Sequence, residues 1–104
     1  MKRKITFLVV AVLCLQTLLA QNKTIRGTIV DSFSEPIIGA SAHVKGTYTG
    51  TISDLNGNYT LENVPEDAVI TFSYIGMIPQ EIAVKGKNVI NCLLYTSDAA
   101  DEGL

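Results

Sequence analysis

From Thr24 to about Asn91, apolar and polar residues alternate with a period of two. This period is typical of half-buried β-strands and not of helices. Residue 52 marks one further short strand, and residues 88–94 begin a last one in the same style. The pattern predicts six or seven short strands and no helix after residue 20. The residues it places on the inward faces are Ile25, Gly27 and Ile29; Ala40, Ala42 and Val44; Tyr59 and Leu61; Ile70, Phe72 and Tyr74; Ile82 and Val84.

The breaks between these runs carry residues typical of turns. Asn56-Gly57 is a strong β-hairpin dipeptide, because both residues tolerate a positive φ, and the Asp54 side chain is expected to cap that turn. Turn signals that recur every eight to twelve residues in an all-strand chain favour an antiparallel β-sandwich. The structural turn residues predicted are Gly39, Asp54, Asn56, Gly57, Pro65 and Gly76.

The first twenty residues follow a different pattern. Basic residues at positions 2–4 precede an apolar run over residues 5–15, and the small residue Ala20 stands before Gln21. This is the arrangement of a secretory signal peptide, helical in its apolar part, and it predicts cleavage between Ala20 and Gln21. The apolar run is shorter than the roughly 20 residues that a spanning helix needs. We therefore expect a signal peptide over residues 1–20 and an exported domain over residues 21–91.

Charge and chemistry exclude several functions. Without residues 1–20 the chain keeps five basic against ten acidic residues, a formal charge of −5, and it lacks the basic cluster that nucleic-acid binding requires. His43, the single histidine, is expected on a solvent face with no nucleophile or acid beside it. The stretch from Asp54 to Asn58 has its glycine at the fourth position, not at the sixth as in an EF-hand loop. Glu66 and Asp67 are adjacent carboxylates on a turn, where we expect them to be solvated and not to form a catalytic pair. We predict neither enzymatic activity nor a cofactor or metal.

The spacing of these residues resembles that of a known family. The run Ile25-x-Gly27-x-Ile29-x-Asp31 is followed by Pro36-Ile37-x-Gly39-Ala40-x-Ala42-x-Val44, and then by Gly46-Thr47-x-x-Gly50-Thr51-x-Ser53-Asp54-x-x-Gly57-x-Tyr59-x-Leu61. Together with Val64-Pro65 and Phe72-Ser73-Tyr74-Ile75-Gly76, they resemble the carboxypeptidase-regulatory-like domain. The version they resemble directly follows the signal peptide of SusC/RagA-type TonB-dependent outer-membrane transporters. Ser34 stands where that family commonly has a turn glycine.

The resemblance implies a seven-stranded, transthyretin-like β-sandwich without catalytic residues, at the periplasmic face of the outer membrane. It implies that the chain is a fragment of a transporter of glycans or peptides, whose plug and barrel are missing from this chain. The TonB system and a surface glycan-binding lipoprotein would be further partners.

Two alternatives stay open beside this interpretation. The chain could be a stand-alone exported module that binds carbohydrate or protein, with Tyr48 as the plausible exposed aromatic contact. It could instead be the folding domain beside a secreted peptidase, which would need a zinc-ligand motif in a lost continuation.

The end of the chain departs from the pattern. The string CLLYTSDAADE resembles one reading frame of a sequencing-library adaptor. We therefore expect the authentic sequence to stop at about Asn91 and residues 92–104 to be non-native. Residues 92–94 would extend the last strand by chance, and the small, acidic residues from Ser97 onward would be disordered.

Overall fold

The computed structural model describes residues 22–97, which form seven β-strands. Their order is β1 Lys23–Val30, β2 Ser41–Val44, β3 Gly50–Ile52, β4 Asn58–Val64, β5 Val69–Ser73, β6 Gln80–Ala83 and β7 Cys92–Leu93. One sheet has the order β4-β1-β7 and the other the order β3-β2-β5-β6. The predicted all-β, seven-stranded sandwich is confirmed. The predicted signal peptide and its cleavage between Ala20 and Gln21 lie outside the described residues. Over residues 22–97, no helix is long and apolar enough to cross a membrane.

The core lies between the two sheets. Tyr59 of β4 and Phe72 of β5 meet there edge to face, with ring centroids 5.4 Å apart, a favoured geometry for aromatic pairs. Each fully buried aliphatic side chain contributes about 1.5–3 kcal/mol to folding, so the burial predicted from alternation stabilises the sandwich. The fully buried large side chains are Phe72, Ile25, Ile29, Leu61, Ile70, Leu94, Val64 and Val84.

A β-bulge interrupts β4 near its end. Lys23 pairs with Val64 and Ile25 with Leu61, so β4 has one more residue than β1 between these pairs. Asn63, in the bulge, has a φ of 60°, which Asn tolerates better than most residues. The bulge turns Val64 inward, where a strict period of two would have placed Asn63.

The last strand corrects the expectation of a purely antiparallel sandwich, because β7 runs parallel to β1, with Ile29 opposite Cys92 and Val30 opposite Leu93. The reason is topological. β6 ends at the same end of the sandwich at which β1 begins, so the chain crosses to the other sheet and then runs along β1 in the same direction. The remaining strand pairs of the described chain are antiparallel.

The Asn56-Gly57 turn does not close a hairpin between paired strands, which corrects a second prediction. β3 pairs with β2, and β4 pairs with β1 in the other sheet. The Gly57 carbonyl accepts a hydrogen bond of 2.8 Å from the Ile29 amide. The turn therefore leads the chain from β3 in one sheet to β4, which lies beside β1 in the other. Gly57 has a φ of 77°, whereas Asn56 does not have a positive φ.

Residues 92–94 form part of the core. Cys92 and Leu94 are buried on either side of the exposed Leu93, and the Leu94 amide donates to the Val30 carbonyl at 2.9 Å. Any apolar-x-apolar segment meets these requirements, so the prediction that residues 92–104 are non-native stays a prediction.

Candidate functional site

The two ends of the sandwich differ in their chemistry. The polar end comprises residues 22–23, 45–49, 65–68 and 84–88, and contains Lys23, Lys45, Lys85, Lys87, Glu66 and Asp67. The apolar end comprises residues 31–40, 53–57, 74–79 and 93–95, and its charged residues are Asp31, Glu35 and Asp54. β1 begins at the polar end, and β7 ends at the apolar end. The chain therefore enters the domain at one end and leaves it at the other.

The polar end is tied together by Glu66. Its carboxylate lies 2.7 Å from the Lys23 ammonium and accepts a 2.7 Å hydrogen bond from the Gly86 amide. These two contacts, the lysine first, hold the pKa of Glu66 below its usual value. The carboxylate therefore joins the start of β1 to two turns. General acid or base catalysis by Glu66 would require a reacting group beside its carboxylate. The contacts with Lys23 and Gly86 give the carboxylate a structural role instead.

Two surface pockets lie at opposite ends of the domain. A pocket of about 570 Å³ at the polar end is lined by Asn22, Pro65, Glu66, Asp67, Ala68, Ala83 and Lys85. A smaller pocket of about 380 Å³ at the apolar end is lined by Gly39, Ser41, Ser73, Tyr74 and Ile75. The predicted turn residue Pro65 accepts a 3.1 Å hydrogen bond from the Ala68 amide, which closes the turn between β4 and β5 at the first pocket.

Asp54 organises its turn as the sequence predicted. Its Oδ1 accepts hydrogen bonds of 2.9 Å from the amides of Asn56 and Asn58. The backbone also closes, because the Gly57 amide donates to the Asp54 carbonyl at 3.0 Å. Asp54 Oδ1 is thus engaged with backbone amides and holds the turn. Among the described residues, no group of three or more His, Cys, Asp or Glu side chains could hold a metal ion.

Asp31 makes the same arrangement, which the sequence reasoning missed. Its Oδ1 accepts from the Phe33 amide at 2.8 Å and from the Glu35 amide at 3.0 Å. Both turns lie at the apolar end. The signal was an aspartate directly after a strand, with serines at positions 32 and 34, a pattern typical of Asx-turns.

Ser53 is a second residue whose role the sequence did not reveal. It is the one buried polar side chain of the described chain. Its hydroxyl donates to the Ile37 carbonyl at 2.5 Å and accepts from the Ala40 amide at 2.9 Å. The predicted turn residue Gly39, with a φ of 79°, donates to the Ser53 carbonyl at 3.0 Å. Ser53 therefore fixes the loop between β1 and β2.

Gly76 closes the turn between β5 and β6, as predicted. It has a φ of 80°, and the turn is bridged by a 3.1 Å hydrogen bond from the Met77 amide to the Tyr74 carbonyl. Tyr74 itself corrects the prediction that alternation buries it. β5 ends at Ser73, so Tyr74 already belongs to the turn and is 40% exposed.

The two remaining candidates lie apart from each other. His43 alternates with the buried Ala42 and Val44 on β2 and is half-buried. Tyr48 is fully exposed in the turn after β2, and it lines neither of the two pockets. The structure therefore does not bring the sequence-predicted chemical residues together. His43 lies on a strand and Tyr48 in a turn, whereas Asp54 and Glu66 hold turns through hydrogen bonds.

Solved structures with the same fold include chains of type II Cohesin–X-Dockerin complexes from Acetivibrio cellulolyticus. A chain from an N-terminal interface mutant matches with a TM-score of 0.61 and 18% identity, covering 73% of this chain and 59% of that one. A chain from the C-terminal interface mutant matches with a TM-score of 0.59 and 21% identity, with the same coverage. At these identities the likeness shows the fold alone.

Sequence relatives are more specific. The TonB-dependent receptor SusC of Bacteroides thetaiotaomicron is 47% identical over 72 residues, which are 68% of this chain and 7% of that protein. The TonB-dependent receptor P3 of Formosa agariphila is 38% identical over 76 residues, 72% of this chain and 8% of that protein. Receptor P26 of the same organism is 35% identical over 89 residues, 86% of this chain and 9% of that protein. The chain thus spans less than a tenth of the length of these relatives.

The family model for the CarboxypepD_reg-like domain matches residues 25–102. This range begins in β1 and includes all the turns described above. The chain therefore belongs to the CarboxypepD_reg-like domain family.

Proposed function

We propose that this chain is the N-terminal accessory domain of a TonB-dependent outer-membrane receptor that imports glycans or peptides. In this proposal the domain is non-catalytic and lies at the periplasmic face of the outer membrane. The observation that carries the proposal is the 47% identity to the TonB-dependent receptor SusC over 68% of this chain. The partners would be the plug and barrel of the same receptor, the TonB system and a surface glycan-binding lipoprotein.

The geometry supports a role as an in-line module. The chain enters at the polar end and leaves at the apolar end, and the eight residues of β1 span about 26 Å at roughly 3.3 Å per residue. A sandwich with its entry and exit at opposite ends acts as a spacer between the segments of the polypeptide on its two sides. Asp31, Asp54 and Glu66 hold turns, which is consistent with a structural or interaction module.

Localisation tests the proposal. The complete receptor gene should be expressed in its host with an epitope inserted in the turn at Tyr48, which is fully exposed. We expect the epitope in the outer-membrane fraction, inaccessible to antibody in intact cells and accessible after the outer membrane is permeabilised. Labelling of intact cells, or an epitope in the cytoplasm, would contradict the proposal.

The second candidate is an exported module that binds carbohydrate, which the exposure of Tyr48 favours. Aromatic side chains offer an apolar face together with a polar handle. An array of glycans, probed with the exported chain and with its Tyr48→Ala variant, distinguishes this carbohydrate-binding module from the accessory domain proposed above. Binding that depends on Tyr48 would support this candidate, whereas equal signals from both proteins would remove it.

A further inference from the structure

Exposed apolar side chains are concentrated at one end of the domain. Of the nine large apolar side chains exposed within residues 22–97, seven lie at the apolar end or at the strand end beside it. Ile75 is 93% exposed and Phe33 83% exposed. The other five of this group are Ile38, Ile52, Leu55, Tyr74 and Leu93. Contiguous exposed apolar surface on a folded domain marks an interaction site more often than chance exposure does.

Backbone pairing places these residues at the same end of the domain. Ser41 at the start of β2 pairs with Ile52 and with Ser73, the last residues of β3 and β5. Val30, the last residue of β1, pairs with Leu93. The loops that carry the other exposed residues begin directly after these strand ends, so all seven residues lie at the apolar end or directly beside it.

The charge around this surface has one sign. Within the loops of the apolar end, the charged residues are Asp31, Glu35 and Asp54, and no lysine or arginine is present there. The polar end contains four of the lysines. An occupant of the apolar end therefore needs an apolar centre and basic side chains at its rim, because complementary charge favours the correct partner and disfavours others.

The chain itself leads to this surface. Leu94 is fully buried and hydrogen-bonded to Val30, and the Tyr95 carbonyl accepts a 2.9 Å hydrogen bond from the Ile78 amide. A continuation of the polypeptide after residue 97 thus starts beside the exposed group. In the relatives, more than nine tenths of the receptor lies outside the matched region. A segment tethered at this point meets the surface at high effective concentration.

We propose that the apolar end docks against the part of the same receptor chain that lies C-terminal to the domain, through an apolar contact rimmed by Lys or Arg side chains. The inference rests on the proposed function. Beyond that function, we infer which surface fixes the domain to its receptor and that the receptor segment docked on it is positively charged at its rim. Interfaces between domains of one chain typically bury 600–1,500 Å² and tolerate a polar rim.

Cross-linking in the full-length receptor tests the proposal. A photo-reactive amino acid replaces Ile75 at the apolar end and, as the matched control, Tyr48 at the polar end; both side chains are at least 93% exposed, so neither replacement disturbs the core. We expect Ile75 to cross-link to a later segment of the same polypeptide, near basic residues, and Tyr48 not to. Cross-links from Ile75 to a second copy, to lipid or to another protein, or equal cross-linking from both positions, would overturn it.

A second measurement uses ordinary variants. Ile75→Glu places a charge in the apolar contact, whereas Tyr48→Glu places one outside it. In the full-length receptor we expect Ile75→Glu to speed proteolysis of the segment directly after the last strand by about tenfold, the effect of about 1.4 kcal/mol on a local opening equilibrium, with Tyr48→Glu unchanged. Equal rates in both variants would overturn the docking. A domain at the periplasmic face with no such difference contradicts the docking alone, whereas a domain elsewhere contradicts the proposed function.

Discussion

The hydroxyl of Tyr59 donates a 2.6 Å hydrogen bond to the backbone carbonyl of Ile90. Tyr59 and Gly27 are directly opposite in the register of β4 and β1. A Cβ on Gly27 would lie 1.8 Å from the Ile90 oxygen and 3.0 Å from the Tyr59 ring. The missing side chain at Gly27 therefore leaves room for this bond, which connects β4 to the segment before β7. Burial, and then the neighbouring Cys92, raise the pKa of the Tyr59 hydroxyl.

Removing this hydrogen bond should destabilise the sandwich. We expect Tyr59→Phe to lower the free energy of unfolding by about 1–3 kcal/mol, the cost of losing a buried hydrogen bond. Gly27→Ala should cost more, because the backbone at Ile90 must move. Urea unfolding followed by circular dichroism measures both variants. Tyr74→Phe, which alters a 40% exposed tyrosine, is the control; a loss for Tyr59→Phe no larger than for this control would contradict the account.

Ser34 offers a substitution that should stabilise the domain. It is in the left-handed region with a φ of 63°, which costs a non-glycine residue roughly 1–2 kcal/mol. Glycine avoids that cost but loses about 0.5–1 kcal/mol in backbone entropy. We therefore expect Ser34→Gly to raise the free energy of unfolding by roughly 0.5–1 kcal/mol. The matched control is Ser32→Gly at the neighbouring exposed serine, which should only lower the free energy of unfolding through the entropy cost of glycine. A higher free energy of unfolding for Ser32→Gly, or a lower one for Ser34→Gly, would contradict the strain assigned to Ser34.

Local periodicity was a good guide to the core. Ile25, Ile29, Ile70 and Phe72 are fully buried, as the alternation predicted. The prediction of burial was wrong at Tyr74, where a strand ends and a turn begins. Alternation continues formally to Tyr74, but β5 stops at Ser73 because the next residues form a turn.

The pairing of strands could not be predicted from the period. The sheet to which β4 and β7 belong depends on contacts between distant segments. One such contact is the backbone hydrogen bond from the Ile29 amide to the Gly57 carbonyl. The buried role of Ser53 is of the same kind, since its partners lie 13 and 16 residues away in the chain. The Asp54 turn, by contrast, was predictable because a side-chain cap depends only on neighbouring residues.

The Glu66 contacts predict a dependence of stability on pH. Its pKa is lowered by folding from the usual 4.5, so its contribution is present above that value and is lost as the pH falls through the lowered pKa. Glu66→Gln should therefore lower the urea midpoint at pH 7, and the gap to the parent should close in acid. Glu62→Gln on the exposed face of β4 is the matched control. A gap that stays constant down to low pH would contradict the role given to the Glu66 charge.

Cys92 should react slowly in the folded chain. Burial raises the pKa of its thiol to about 11 from the usual 9.0, which lowers the thiolate fraction at pH 8 by about 100-fold. We expect alkylation at pH 8 to be slower by at least that factor in the folded chain than in urea. Equal rates in the two conditions would mean that β7 does not pair with β1 as described.

The same shift gives the sign of an alkaline effect. Because the folded pKa exceeds the unfolded one, the contribution of the neutral Cys92 thiol is complete below about pH 9 and is lost as the pH rises toward 11. Cys92→Ala should reduce the loss of stability across this window, which urea midpoints at pH 8 and pH 10.5 would measure. A loss that is the same with and without the thiol would contradict the assignment.

A single long sequencing read across the codon of Asn91 at the source locus tests most directly whether this domain belongs to a TonB-dependent receptor. We expect the reading frame to continue past that codon into an authentic last strand and then a plug and barrel, in place of residues 92–104. A natural gene that stops after Leu104 would contradict the account and would leave a small exported β-sandwich whose ligand has to be sought.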